Sequence, residues 1–201
     1  MFVGRQNWYY NLLVEVIFIM QEIETARLYL RQFTPDDLDE LYRIYSNSEV
    51  MKYLSEGVRN REETAADLFQ IIADWEKHAF GLWAVVNKEN NQLIGDGGLR
   101  FLRETPEVEV GYVLAKAYWG KGLASEVAAA SLNYGFEVLK LEKIGSVAHT
   151  ENRSSRRVME KVGMRYQHNL DDSDRVYYSI SRKIYHSKVV ELRKEIKPKC
   201  L

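Results

Sequence analysis

Cysteine is almost absent from this 201-residue chain, whose single Cys200 lies beside the C-terminus. One cysteine makes neither an internal disulfide nor a zinc cluster, which excludes a disulfide-stapled scaffold and makes a reducing cytoplasm the expected compartment. Proline is scarce, at 3 residues, and no Pro/Gly/Ser-rich linker or internal repeat divides the chain. Neither charge sign dominates: 28 Lys and Arg against 29 Asp and Glu leave a net charge of -1. With no bulk positive field to attract a phosphate backbone, a dedicated nucleic-acid binder is excluded. Long apolar runs are missing as well. The longest, from Leu12 to Met20, is interrupted by Glu15 and falls short of the roughly 20 residues that cross a bilayer. Gln21, Glu22, Ile23 and Glu24 follow it in place of a small-residue cleavage site, so neither a membrane partner nor a signal peptide is expected. The four histidines show no metal-ligand spacing, and no metal is expected.

What is present is the composition of a soluble globular domain, 46% hydrophobic and 28% charged. At about 150 residues per domain, the length corresponds to one domain with extras. Residues 1–22 read as an N-terminal extension, with Met20 an alternative natural start. Residues 23–183 read as the domain, and 184–201 as a charged tail or short helix.

Periodicity sketches the domain. Arg27–Phe33 alternates as a strand. Thr34, Pro35, Asp36 and Asp37 form a helix start, followed by an apolar face of Leu38, Leu41, Tyr42 and Tyr45. Asn60 and Glu63 make a capping box for a second helix, with Ala65, Leu68, Phe69, Ile72 and Trp75 as its apolar face. Strands follow at Leu82–Val86, Gln92–Phe101 and Glu107–Leu114, the middle one carrying Gly95, Gly97 and Gly98. A helix runs from the Trp119–Ala124 turn to about Leu139. After it come a strand at Lys143–His149, a helix at Asn152–Val162 ended by Gly163, and a strand at Val176–Ser181. The coarse order βααβββαβαββ predicts an α+β fold with one mixed sheet.

Two constellations carry chemistry. The first is the strand–glycine turn–helix containing Trp119-Gly120-Lys121-Gly122-Leu123-Ala124. Glycines let backbone N–H groups approach an anion, and the first helical N–H groups lack intrahelical partners; an ordinary tight turn is the alternative. The second is the helix Asn152–Val162. Ser155, Val158, Met159 and Val162 share its apolar face, so the serine hydroxyl needs a partner from protein or ligand. Asn152 is also a natural N-cap.

The two constellations, about 30 residues apart, together with Thr25-Ala26-Arg27-Leu28-Tyr29-Leu30-Arg31 and Glu109-Val110-Gly111-Tyr112, resemble the GNAT superfamily of acyl-CoA-dependent N-acetyltransferases. Within it, they resemble the branch of ribosomal-protein N-terminal acetyltransferases (RimJ/RimL-like). Trp119 stands where the superfamily pattern has Gln or Arg. The resemblance implies a central mixed, mostly antiparallel sheet flanked by about four helices, with acetyl-CoA as co-substrate. It implies a pantetheine seat on Tyr112, Val113, Leu114 and Asn152, and a pyrophosphate seat on Trp119, Gly120, Lys121, Gly122, Leu123 and Ala124. Arg156 is a further phosphate candidate. Transfer to nitrogen needs a neutral amine, a stabilised oxyanion and a proton for the thiolate. Glu109 is the expected base, with an exposed strand glutamate as the alternative. Ser155 is the expected acid, with Tyr177 and Tyr178 in reserve, and a backbone N–H near Val113 or Leu114 is the oxyanion donor. The implied acceptor is a protein N-terminus or a small amine, and the implied state a monomer or homodimer. A sensor that holds acyl-CoA without turnover is the competing reading.

Overall fold

The computed structural model of the protein describes residues 22–102, 105–170 and 174–195. Residues 1–21, with Met20, and Cys200 lie outside the described residues. The first strands are β1 (Ile23–Glu24) and β2 (Leu28–Arg31). Pro35–Asp37 forms a 3-10 turn rather than the opening of an α-helix, and α1 (Leu38–Tyr45) follows it directly. The Asp37 carboxylate holds this entry, accepting from Thr34 N–H at 2.8 Å and from both Arg31 terminal nitrogens at 2.6 and 2.8 Å.

Next come the one-turn α2 (Ser48–Met51), capped by Asn47, and α3 (Arg61–His78). The expected Asn60/Glu63 capping box starts α3, with reciprocal bonds of 2.8 and 2.9 Å. Its buried stripe differs from the expected one. Thr64, Leu68, Ile71 and Trp75 face inward, and Phe69 is 61% exposed. Thr64 Oγ1 donates to the Asn60 carbonyl, and Trp75 Nε1 donates to the Leu82 carbonyl. The Trp75 bond reaches β3 and fixes the face that α3 turns to the sheet, which leaves Phe69 outward.

β3 (Leu82–Asn87), β4 (Gln92–Phe101) and β5 (Val108–Leu114) form a meander. α4 (Leu123–Glu137) crosses to β6 (Lys143–His149), and α5 (Arg153–Lys161), β7 (Arg165–Asn169), β8 (Arg175–Ser181) and α6 (Arg182–Glu195) complete the order. The eight strands form one sheet, ordered β1-β2-β3-β4-β5-β6-β8-β7. Every neighbouring pair is antiparallel except β5 and β6. Six α-helices accompany it among the described residues, where the resemblance implied about four; α2 and α6 carried no strong periodic signal. The fold is α+β, as expected.

Sheet alternation decides which helix meets which side chain. A Cβ on Gly97 would lie 2.4 Å from Val127 of α4, so this face of β4 must be bare for α4 to pack on it. Asp96, pointing the other way, meets Tyr45 of α1. Fully buried Trp83, Leu99, Leu132 and Phe136 are among the core residues between these layers, each burial of this size contributing about 1.5–3 kcal/mol.

β5 and β6 share a single register position, Glu109 against Gly145. Beyond it they part. Gly145 has no room for a side chain, because a Cβ there would sit 2.7 Å from the Tyr177 ring. This separation of two central strands positions the candidate site.

Candidate active site

A cleft of about 1310 Å³ runs through the gap between β5 and β6. The backbone of β5 shows what faces it. Ala115 donates its N–H to Ile94 at 2.8 Å, and the register pairs Asp96 with Val113 and Gly97 with Tyr112. Antiparallel ladders alternate in direction. The N–H and C=O of Val113 are therefore spent on Asp96, and those of Val110, Tyr112 and Leu114 turn toward the gap. Ser146 Oγ donates to the Val110 carbonyl at 2.9 Å, and Trp119 Nε1 donates to the Leu114 carbonyl at 2.7 Å. The β5–β6 register ends at Glu109–Gly145, so the N–H and C=O of Tyr112 and the N–H of Leu114 face the gap beyond the paired stretch.

The glycine turn lies at the end of this strand. Gly120 and Gly122 have φ of 74° and 77°, values that disfavour any residue with a Cβ. A Cβ on Gly120 would meet nothing within 4 Å, so the turn borders open space. Glu126 is the first residue of α4 to donate back, to the Gly122 carbonyl at 3.2 Å. The N–H groups of Leu123, Ala124 and Ser125 therefore lack intrahelical acceptors. The turn is braced from behind by the Thr25–Arg27 corner. Thr25 Oγ1, Arg27 N–H and the Arg27 guanidinium all donate to the Glu126 carboxylate at 2.7–2.8 Å, and Arg27 Nη1 donates to the Lys121 carbonyl at 2.8 Å. Burial would raise the Glu126 pKa, but these donors hold it below the usual carboxylate range.

Glu109 is not an exposed strand glutamate: it is 6% exposed, and its Oε1 accepts from Arg100 Nε at 2.9 Å. Ser155 stands at the first turn of α5, its N–H donating to the Asn152 side chain at 3.1 Å, so Asn152 is an N-cap that also lines the cleft. The Tyr112 hydroxyl lies 3.1 Å from both the Ser155 carbonyl and Ser155 Oγ. Desolvation pushes the Tyr112 phenol up to about 12, so it stays protonated. Alternation along β5 puts Glu109 and Tyr112 on opposite faces. The Glu109–Arg100 pair and the Tyr112–Ser155 pair thus approach the gap from opposite sides of the sheet.

Of the predicted cofactor residues, Tyr112, Val113, Leu114, Trp119, Gly120, Gly122, Leu123, Ala124 and Asn152 line the cleft. Lys121 is not among the lining residues; its ammonium sits 5.1 Å above the Tyr118 ring. Arg156 is turned to the Tyr178 hydroxyl and the Thr150 carbonyl, and its neighbour Arg157 lines the cleft instead. The reserve tyrosines are committed elsewhere, Tyr177 donating to Glu107 at 2.6 Å and Tyr178 to Glu160 at 3.1 Å.

Sequence reasoning missed Asp96. It is 2% exposed, lines the cleft and accepts from the Tyr45 hydroxyl at 3.0 Å. Burial raises its carboxyl from 3.8 to about 7, against the opposing effects of the Tyr45 bond and Arg100. The available signal was one acid among the apolar residues and glycines of Leu93–Leu99.

Comparison with known proteins gives the same frame. Residues 27–165 match the family model described as an acetyltransferase (GNAT) domain. The chain is 35% identical over 145 residues to the uncharacterized N-acetyltransferase YoaA of Bacillus subtilis (strain 168), covering 70% of this chain and 81% of that one. The crystal structure of a GNAT-family acetyltransferase from Bacillus anthracis superposes with a TM-score of 0.73 at 32% identity, covering 81% of this chain and 99% of that one. The spermidine N(1)-acetyltransferase of Escherichia coli (strain K12) is 28% identical over 135 residues, covering 67% of this chain and 70% of that one.

Proposed function

The chain belongs to the GNAT family of acetyltransferases, and from this premise we propose that it transfers an acetyl group from acetyl-CoA directly to a primary amine, within or close to the RimJ/RimL-like branch. The observation that carries the reading is the set of backbone groups turned to the cleft, those of Tyr112 and Leu114 past the end of the β5–β6 register and those of Leu123, Ala124 and Ser125 at the start of α4. The pantetheine arm carries amides that would pair with the Tyr112 N–H and C=O as a neighbouring strand does. Its pyrophosphate matches the outward N–H groups of the turn and of the first turn of α4. When bound, the thioester supplies the activated acetyl group.

The chain's own groups then have these roles. Leu114 N–H is the donor to the developing oxyanion, since Val113 N–H is spent in the ladder. Ser155 Oγ is the proton donor toward the departing sulfur, and the Tyr112 phenol holds that hydroxyl in place. Glu109, through water, takes the proton of the attacking amine. A second reading of the base favours Asp96, because a carboxyl titrating near 7 suits proton exchange at neutral pH. The two are separable: Asp96→Asn removes an ascending limb near pH 7 from the rate profile only if Asp96 is the base, and Glu109→Gln removes activity at every pH only if Glu109 is.

The acids Glu49, Glu56, Asp67, Asp74, Asp96 and Glu109 line the cleft together with the bases Lys52, Arg59, Arg100, Arg157 and Arg175, and Glu49, Asp67 and Glu109 are ion-paired, so the charge of the cleft does not single out one acceptor. A protein N-terminal α-amine and a small amine, the class named by the spermidine-acetylating relative, both fit. Thiol release from acetyl-CoA in the presence of N-terminal peptides, polyamines and aminoglycosides tests the proposal. Release dependent on one acceptor class is expected; acetyl-CoA binding with no release for any acceptor would overturn it in favour of a sensor.

A further inference from the structure

The glycine turn has a conformational freedom that its chemistry cannot tolerate. The Lys121–Gly122 peptide turns on ψ of Lys121 and φ of Gly122, and Gly122 sits at a positive φ of 77°. Glycine adopts either sign of φ at little cost, so this peptide plane can flip. A flip would replace an outward N–H by the Lys121 carbonyl, and an anion seat would then contain a partial negative charge. One side chain opposes the flip: Arg27 Nη1 donates to the Lys121 carbonyl at 2.8 Å.

We infer that Arg27 is a positioning residue for the anion seat, drawing the Lys121 carbonyl inward so that the turn presents N–H groups alone. The inference rests on the reading of that turn as the pyrophosphate site. The guanidinium is itself fixed. Its Nε and Nη2 reach Glu126 Oε2 at 2.7 and 2.6 Å, while Thr25 Oγ1 and Arg27 N–H occupy Oε1. One planar fork thus reads the first turn of α4 and the glycine turn together, which a lysine ammonium cannot do in the same geometry. The Arg27 side chain is 50% exposed. A pair that wet contributes little to folding, so its loss should register in ligand affinity rather than in stability. Trp119 acts in parallel on the strand side, its indole holding back the Leu114 carbonyl.

The test uses the full chain and two acetyl donors: acetyl-CoA, and S-acetylpantetheine, which lacks the pyrophosphate. Arg27→Gln is expected to raise the acetyl-CoA KM roughly tenfold, the value of one charged hydrogen bond. Acceptor KM, kcat at saturating acetyl-CoA and kcat/KM for S-acetylpantetheine should stay within about twofold of wild type. Arg27→Lys should be intermediate. Equal losses with both donors would overturn the inference in favour of a merely structural role, as would a wild-type acetyl-CoA KM. If Arg27→Gln does not fold, Glu126→Gln loosens the guanidinium without removing it and should shift the same KM in the same direction. A wild-type protein that binds no acetyl-CoA in calorimetry overturns the functional reading itself, an outcome distinct from wild-type binding that Arg27→Gln leaves intact.

Discussion

Replacing Asp96 by Asn should make the protein more stable, and increasingly so as pH rises. The carboxyl is 2% exposed, and burial raises it from 3.8 to about 7. An acid whose folded value lies above its unfolded one binds its proton more tightly when folded. Its contribution is therefore fully present below about pH 4, and is lost progressively as pH rises to about 7. Each pH unit in that window is worth about 1.4 kcal/mol, so ionised Asp96 costs about 4 kcal/mol at alkaline pH. Asn keeps the shape and still accepts from the Tyr45 hydroxyl, but carries no charge to desolvate. Urea unfolding of both proteins at about pH 5.5 and about pH 8.5 isolates the effect. Wild type should lose about 2 kcal/mol relative to Asp96→Asn between those two points, because only the interval up to about 7 contributes. Parallel pH profiles, or a variant that becomes relatively weaker at high pH, would refute the claim that a buried carboxyl is forced to ionise in the cleft.

Gly122→Ala and Gly122→Glu separate backbone cost from charge. Both place a Cβ at φ 77° with only Arg27 Nη2 nearby, at 3.7 Å, so both should lose about 1–2 kcal/mol of stability. Only Glu should abolish CoA binding in a calorimetric titration, and a Glu variant that binds as the Ala variant does would remove the anion seat from the turn. Ser155→Ala should lower kcat at least tenfold while CoA affinity stays within about threefold; wild-type turnover would take Ser155 out of the mechanism.

Local signals read well from the sequence, and pairings distant in the chain did not. β4 and β6 span the predicted Gln92–Phe101 and Lys143–His149, because each alternates or runs apolar between clear turn residues. The Asn60 capping box and the left-handed Gly163 each depend only on residues a few positions away and are equally plain. β7 was given no span, for all five of its residues are exposed and only pairing with β8 makes it a strand. α2 is four residues held by the Asn47 cap, too short to show a period. At the site, the glycine turn was legible because its purpose is written in consecutive residues. Asp96 was not, because its environment is Tyr45, which lies 51 positions away. Arg27 was noticed only as part of a motif; its partner Glu126 lies 99 positions on and came next to it only through the fold. Val113 illustrates a finer limit. Sequence grouped it with Tyr112 and Leu114, but ladder phase, which depends on the partner strand, spends its backbone on Asp96.

The most direct test of the account is amide hydrogen exchange with and without CoA. The donors turned to the cleft predict slowed exchange in the peptides that cover Tyr112, Leu114 and residues 120–125, with the β1–β2 corner following through Arg27. Slowing confined to other segments, or none in the presence of bound CoA, would contradict the assignment of the strand gap and glycine turn as the co-substrate site.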